Sequence, residues 1–186
     1  MPALTSTPSR TPITDRTCWA TPPALFERYH RIFRFDLDAC ALPHNAKLPL
    51  YFTPEEDGLA RPWVVFGCPG CGRDFKGLDG DGGCGHACPD CGLPGIHRPA
   101  NVWLNCPYGR PVPMWLEKAW RESQRGALVV ALLPDDTSTR WYHDWVKGKA
   151  HVEPLEGRVK FVGAPGMPNF GSFVAIYWPA GFWRGA

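Results

Sequence analysis

Asn105-Cys106-Pro107-Tyr108 places a side-chain amide, a backbone carbonyl and an aromatic ring within four residues. An amino group conjugated to a purine ring is a poor nucleophile, because its nitrogen lone pair is delocalised. Acceptors aimed at its N–H bonds make the nitrogen more nucleophilic as charge develops on it. The Asn105 side-chain oxygen and the Cys106 carbonyl are two such acceptors, and Tyr108 offers a stacking face for a base rotated out of a duplex. The four residues Asn105, Cys106, Pro107 and Tyr108 are therefore expected to act together in group transfer to a base amine. A nucleophilic role for the Cys106 thiol is not needed, since transfer to an amine proceeds without a covalent enzyme intermediate.

A second constellation calls for a metal. Cys68-Pro-Gly-Cys71 and Cys88-Pro-Asp-Cys91 are two C-x2-C knuckles, and the sixteen residues between them fall within the usual spacing of a structural zinc site. Four thiolates would close the coordination shell of one Zn2+, which points to a structural role. Cys84 and His86 lie in the same loop and are alternative ligands in place of Cys88. The segment 67–95 is rich in glycine and cysteine and has almost no apolar periodicity, so metal binding would supply the folding energy that its side chains lack.

These residues need a frame. Thr21-Pro22-Pro23 followed by Ala24, Leu25, Tyr29, Ile32 and Phe33 reads as an N-cap threonine, proline in the first turn and a helix with one apolar face. Phe35-Asp36-Leu37-Asp38 alternates like a short strand, and the small residues Ala39, Cys40 and Ala41 follow. Residues 101–104 read as a buried strand ending at the tetrapeptide, and residues 114–125 as a helix. Residues 127–133 form a continuous apolar run, the pattern of a strand covered on both faces. A helix over 139–147 and strands over 151–162 and 173–178 complete the order. Alternating strands and helices predict an α/β fold around a mostly parallel sheet, with the tetrapeptide at a strand's C-terminal end, where open sheets of this kind bind ligands.

Composition narrows the frame. In 186 residues the 44% hydrophobic content supports one core with an insertion rather than two large domains. Residues 1–17, rich in Pro, Ser and Thr, are expected to be a loose tail before a domain over 18–186 that the segment 67–95 interrupts. A formal charge of +2 permits a nucleic-acid partner without announcing one. No run of 18 apolar residues is present, and five cysteines crowd into residues 68–91 without an export signal, so a soluble protein of the reducing cytoplasm with no membrane partner is expected.

Taken together, the ordered pieces resemble the phage DNA N6-adenine methyltransferase (Dam-type) family. The resemblance is carried by Trp19-Ala-Thr21-Pro22, Phe35-Asp-Leu-Asp38-Ala-Cys-Ala41, Asn45-Ala-Lys47, Asp57-Gly58-Leu59 and the tetrapeptide. Further matching pieces are Leu133-Pro134 with residues 137–144 and Gly157-Arg158-Val-Lys160-Phe161, so that most of residues 18–178 is covered. Cys106 departs from the family's proline at that position, and the cysteine-rich insertion is a second departure. The resemblance implies a Rossmann-like methyltransferase fold, S-adenosylmethionine as cofactor, DNA as substrate and a phage or prophage gene expressed in a bacterial host. It also implies that Thr21, Pro22, Asp36, Asp38 and Ala39 contact the cofactor, and that Asp57 holds its adenine part. Bottom-up support is that a carboxylate can pair with the cofactor's ammonium and that small residues permit close backbone approach.

Residues 134–144 mix polar, basic and aromatic groups. Arg140 and Trp141 suit phosphate contact and base stacking, or else begin a helix with Trp141 packed inward. Arg158 and Lys160 are candidate phosphate contacts or solvated strand residues. Two other readings compete: a DNA-binding relic of such an enzyme without activity, and a zinc-ribbon nuclease or recombination factor.

Overall fold

The computed structural model describes residues 19–67, 74–76 and 96–182. The expected tail and all the metal-ligand candidates, Cys68, Cys71, Cys84, His86, Cys88 and Cys91, lie outside the described residues. The first helix, α1, spans Pro23–Phe33 and leads into the two-residue strand β1, Leu37–Asp38. Strands β2 (Val64–Gly67), β3 (Asp74–Lys76) and β4 (Ile96–Pro99) flank the cysteine-rich segment, and β5 (Asn101–Leu104) carries the chain to the tetrapeptide. Helix α2 (Val112–Gln124), strand β6 (Leu128–Pro134), helix α3 (Arg140–Trp145) and strands β7 (His151–Pro154) and β8 (Ser172–Tyr177) follow.

The main sheet has the order β1-β5-β6-β8-β7. Strands β1, β5 and β6 pair in parallel, whereas β8 pairs antiparallel with both β6 and β7. Strand β8 alone runs against the other four, so the expected α/β architecture with a mostly parallel sheet holds, and it is compatible with a methyltransferase fold.

The period-two pattern of the strands divides the core between the two faces of the sheet. From β6, Val129, Ala131 and Leu133 join Val112, Trp115, Leu116 and Ala119 of α2 on one face. Leu128, Val130 and Leu132 join Phe26 and Tyr29 of α1 on the other. Trp103 of β5 is fully buried and takes the edge of Phe26 at 5.6 Å between ring centroids. Burial on both faces is why 127–133 reads as an unbroken apolar run.

Four expectations are corrected. Helix α1 has Pro22 as its N-cap with no side-chain cap bond, because Thr21 is buried and its Oγ1 has no hydrogen-bond partner. Ile32, expected on the apolar face, is exposed, and Phe26 packs inward instead. The strand expected over 151–162 stops at Pro154, and the chain bends at Gly157, whose φ of 73° suits glycine. Finally, β2, β3 and β4 form a separate antiparallel sheet of order β3-β2-β4, which the glycine-rich composition gave no reason to expect.

Candidate active site

Strand β1 lies between two neighbours. On one side Leu37 and Asp38 pair with Val102 and Trp103 of β5, and the Ala39 N–H donates to the Trp103 carbonyl at 3.0 Å. On the other side the chain returns beside it: the Asp38 N–H donates to Leu50 O, and the Phe52 N–H donates to Asp38 O. The loop between, residues 39–49, is thereby folded over the strand's C-terminal end.

The turn behind Ala39 is packed to contact. A Cβ at Gly58 would stand 2.4 Å from the Ala39 carbonyl oxygen and 3.2 Å from both Phe52 and Trp115, so only glycine fits. Trp63 pins the same turn by donating its Nε1–H to Gly58 O at 2.8 Å. Asp57, just before it, adopts a positive φ of 51° and accepts the Leu59 N–H with its exposed carboxylate.

A small cavity opens to solvent where β1 and β5 end. Its walls are Trp19, Ala20 and Thr21 from the chain before α1, Asp38, Cys40, Asn45 and Lys47 from β1 and its loop, and Trp103 and Asn105 from β5. Three of these residues carry a buried polar atom that has no protein partner: Trp19 Nε1, Thr21 Oγ1 and Trp103 Nε1. Polar groups buried in this way normally have a partner, so their concentration around one cavity fits a polar ligand.

Asp38 is the cavity's buried acid, with 3% of its surface exposed. Its Oδ2 accepts the Lys47 backbone N–H at 3.0 Å, and its Oδ1 accepts the Cys40 N–H at 3.5 Å. Burial pushes its pKa up from the usual carboxylate range to about 7, against the opposing pull of those two N–H groups and of the Lys47 charge. A ligand cation would reverse that penalty.

Asn105 faces Asp38's cavity from the next strand. Its Nδ2 donates to the Trp19 carbonyl at 3.2 Å, and this bond fixes which end of the amide is the donor. Oδ1 is then the acceptor end. The following Cys106 is buried, and its thiol is pushed far above the ordinary range by burial. Such a thiol stays protonated at neutral pH.

Tyr108 is half-buried and does not line the cavity. Its hydroxyl donates to Leu132 O at 3.3 Å, and its ring meets Phe161 and Phe170 edge-on, each at 5.9 Å. An antiparallel bridge between Ala20 and Val162 draws residues 158–162 against the cavity wall, and Trp19 stacks on Phe161 at 6.3 Å. Within that segment Val159 and Phe161 are buried while Arg158 and Lys160 are exposed.

Of the residues singled out from sequence, Thr21, Asp38 and Asn105 meet in the cavity, with Pro22 and Ala39 adjacent in the chain. Asp36 does not line it. Its carboxylate forms a bidentate pair with Arg98, at 2.7 and 2.8 Å, and accepts the Asn101 N–H, so it ties β1 to the β4–β5 connection. Arg140 is exposed and pairs with Asp144 one turn later, while Trp141 stacks on Phe173 at 6.4 Å, so the inward-packed alternative describes Trp141. Sequence reasoning assigned no role to Asn45, Lys47 or Trp19, although all three stand in pieces that carry the resemblance. Among the described residues no group of three or more His, Cys, Asp or Glu is placed to hold a metal ion, and no helix is long and apolar enough to cross a membrane.

Comparison with known proteins agrees with the frame. The model of the family "DNA N-6-adenine-methyltransferase (Dam)" matches residues 8–69 and 97–169, leaving out most of the cysteine-rich segment. A DNA N-6-adenine-methyltransferase of Haemophilus phage HP1 is 30% identical over 160 residues, which is 84% of this chain and 72% of that protein. One of Escherichia phage T1 is 25% identical over 149 residues, covering 80% of this chain and 48% of that protein. No solved structure matches. The chain belongs to the DNA N-6-adenine-methyltransferase (Dam) family of enzymes.

Proposed function

We propose that this protein transfers a methyl group from S-adenosylmethionine to N6 of adenine in DNA, at the cavity shared by Asp38 and Asn105. The observation that carries the reading is the Asn105 amide, tied through Nδ2 to Trp19 so that Oδ1 is the acceptor, on the same cavity as a buried carboxylate with no cation bonded to it. S-adenosylmethionine supplies an electrophilic methyl on a sulfonium and leaves as the neutral thioether. Asp38 pairs with its α-ammonium, and Thr21 Oγ1 gains a polar partner. Pro22 and Ala39 shape the backbone around it, and Asp57, exposed beside the Gly58 turn, holds the adenine part.

Asn105 Oδ1 and the Cys106 carbonyl accept hydrogen bonds from the adenine amino group and stabilise the charge that grows on nitrogen as it takes the methyl. The amino group then loses one proton to solvent. Cysteine keeps the carbonyl that proline would offer and loses only the ring's restraint on φ, a loss offset by the burial of Cys106. Tyr108, anchored through its hydroxyl to β6, presents its ring beside the base. Arg158 and Lys160, exposed next to the cavity wall, contact DNA phosphates, as does the exposed Arg140. Cys68, Cys71, Cys88 and Cys91, with Cys84 or His86 as alternatives to Cys88, hold one structural Zn2+, all but Cys68 lying between the two stretches that match the family.

Incubation with S-adenosylmethionine and unmethylated DNA, followed by nucleoside mass spectrometry, tests the reading. N6-methyladenine is the expected product, reduced at least a hundred-fold by Asn105→Ala. N4-methylcytosine would show that the site takes the other amino base, and absence of any methylated base would favour a binding relic.

A further inference from the structure

Lys47 is a cation that lines the same cavity as Asp38, and the function proposed above uses only the acid. The loop 39–49 brings the two together: the Lys47 backbone N–H closes on Asp38 Oδ2 at 3.0 Å, so the lysine side chain starts beside the carboxylate without being spent on that bond. Both line the cavity, as does Asn45, whose Oδ1 is fixed by the Leu42 N–H at 2.7 Å. One small cavity thus presents an acid and a base to the same guest. Burial lowers the Lys47 pKa and Asp38 acts to raise it, so the two charges sense each other.

We propose that Lys47 binds the α-carboxylate of the cofactor's methionine part, opposite Asp38 on the α-ammonium, so that the loop 39–49 reads a zwitterion. This rests on the cofactor reading given above. A guest with ammonium and carboxylate on one carbon satisfies both walls, whereas a guest with the amine alone leaves Lys47 opposed only by Asp38. The site is therefore selective for the amino-acid end of the cofactor and not merely for its cation.

Calorimetry with two ligands tests this. S-adenosylmethionine and its decarboxylated analogue share the nucleoside, sulfonium and amine and differ only in the carboxylate. The wild-type protein is expected to prefer S-adenosylmethionine by about ten- to hundred-fold, the usual range for one charged hydrogen-bonded contact. Lys47→Met should erase that preference while its affinity for the analogue holds or rises, and Lys47→Arg should keep most of it. Equal weakening of both ligands by Lys47→Met would overturn the proposal, as would unchanged cofactor affinity with weakened binding to DNA, which would make Lys47 a phosphate contact. A wild-type protein that binds both ligands equally removes the role of Lys47 alone. One that binds neither removes the cofactor reading with it.

Discussion

Among the described residues two places bury a carboxylate, and they treat it in opposite ways. Glu122, on the inner face of α2, is 2% exposed and clamped by Lys118 at 2.7 Å and Arg125 at 2.9 Å, while its other oxygen takes the Trp63 N–H at 3.4 Å. Asp38, at the end of β1, is 3% exposed and is met by backbone N–H groups alone. The first acid is complete within the chain and joins α2 to the segment before β2. The second carries a desolvation penalty that its backbone partners and the Lys47 charge offset only in part, and it does so on a cavity wall. The contrast separates a carboxylate that builds the fold from one that builds a site.

The largest effect expected from this contrast is on stability. Glu122→Gln strands Lys118, whose side chain is only 14% exposed, and should cost about 3 kcal/mol, roughly 6–12 °C in Tm by calorimetry. Its cofactor affinity, measured on the folded variant, should be unchanged. Asp38→Asn should do the reverse: affinity for S-adenosylmethionine falls about a hundred-fold, while thermal stability at pH 8 rises. The sign follows from linkage. Asp38 is raised in the folded protein from 3.8 to about 7, so its ionisation costs folded stability progressively between those values and fully above them. The asparagine variant should therefore gain Tm at pH 8, and the gain should vanish as the pH falls well below 3.8, where wild-type Asp38 is protonated in both states.

The fold was legible where burial is symmetric and much less so where it is not. Residues 127–133 announce themselves because both faces of β6 are covered, and the tetrapeptide could be placed because β5 is buried ahead of it. Strands β2, β3 and β4 belong to a small antiparallel sheet and are only 4, 3 and 4 residues long, too short for a local period to mark them. In the site, Asn105 and Asp38 stand at strand ends and could be read from position. Asp36 and Asp38 look alike as letters, yet Arg98, 62 residues away, claims the first. Lys47 reaches the cavity through a loop closed by one backbone bond to Asp38, a tertiary relation that spacing does not encode.

A smaller effect sharpens the same comparison. Cofactor pairing needs ionised Asp38, so wild-type affinity should rise about tenfold between pH 6 and pH 8, with its midpoint near 7. Cys40, pushed up to about 12 by burial and by Asp38, stays neutral throughout that window. Titration calorimetry across the window should give a flat profile for Asp38→Asn and the wild-type profile for Glu122→Gln.

The most direct test of the central claim is a crystal structure of the protein with S-adenosylhomocysteine. The methionine end should lie in the cavity at the ends of β1 and β5, its ammonium about 2.7–2.9 Å from Asp38 and its sulfur toward Asn105. A nucleoside bound elsewhere, or a methionine end that leaves Asp38 without a cation, would contradict it.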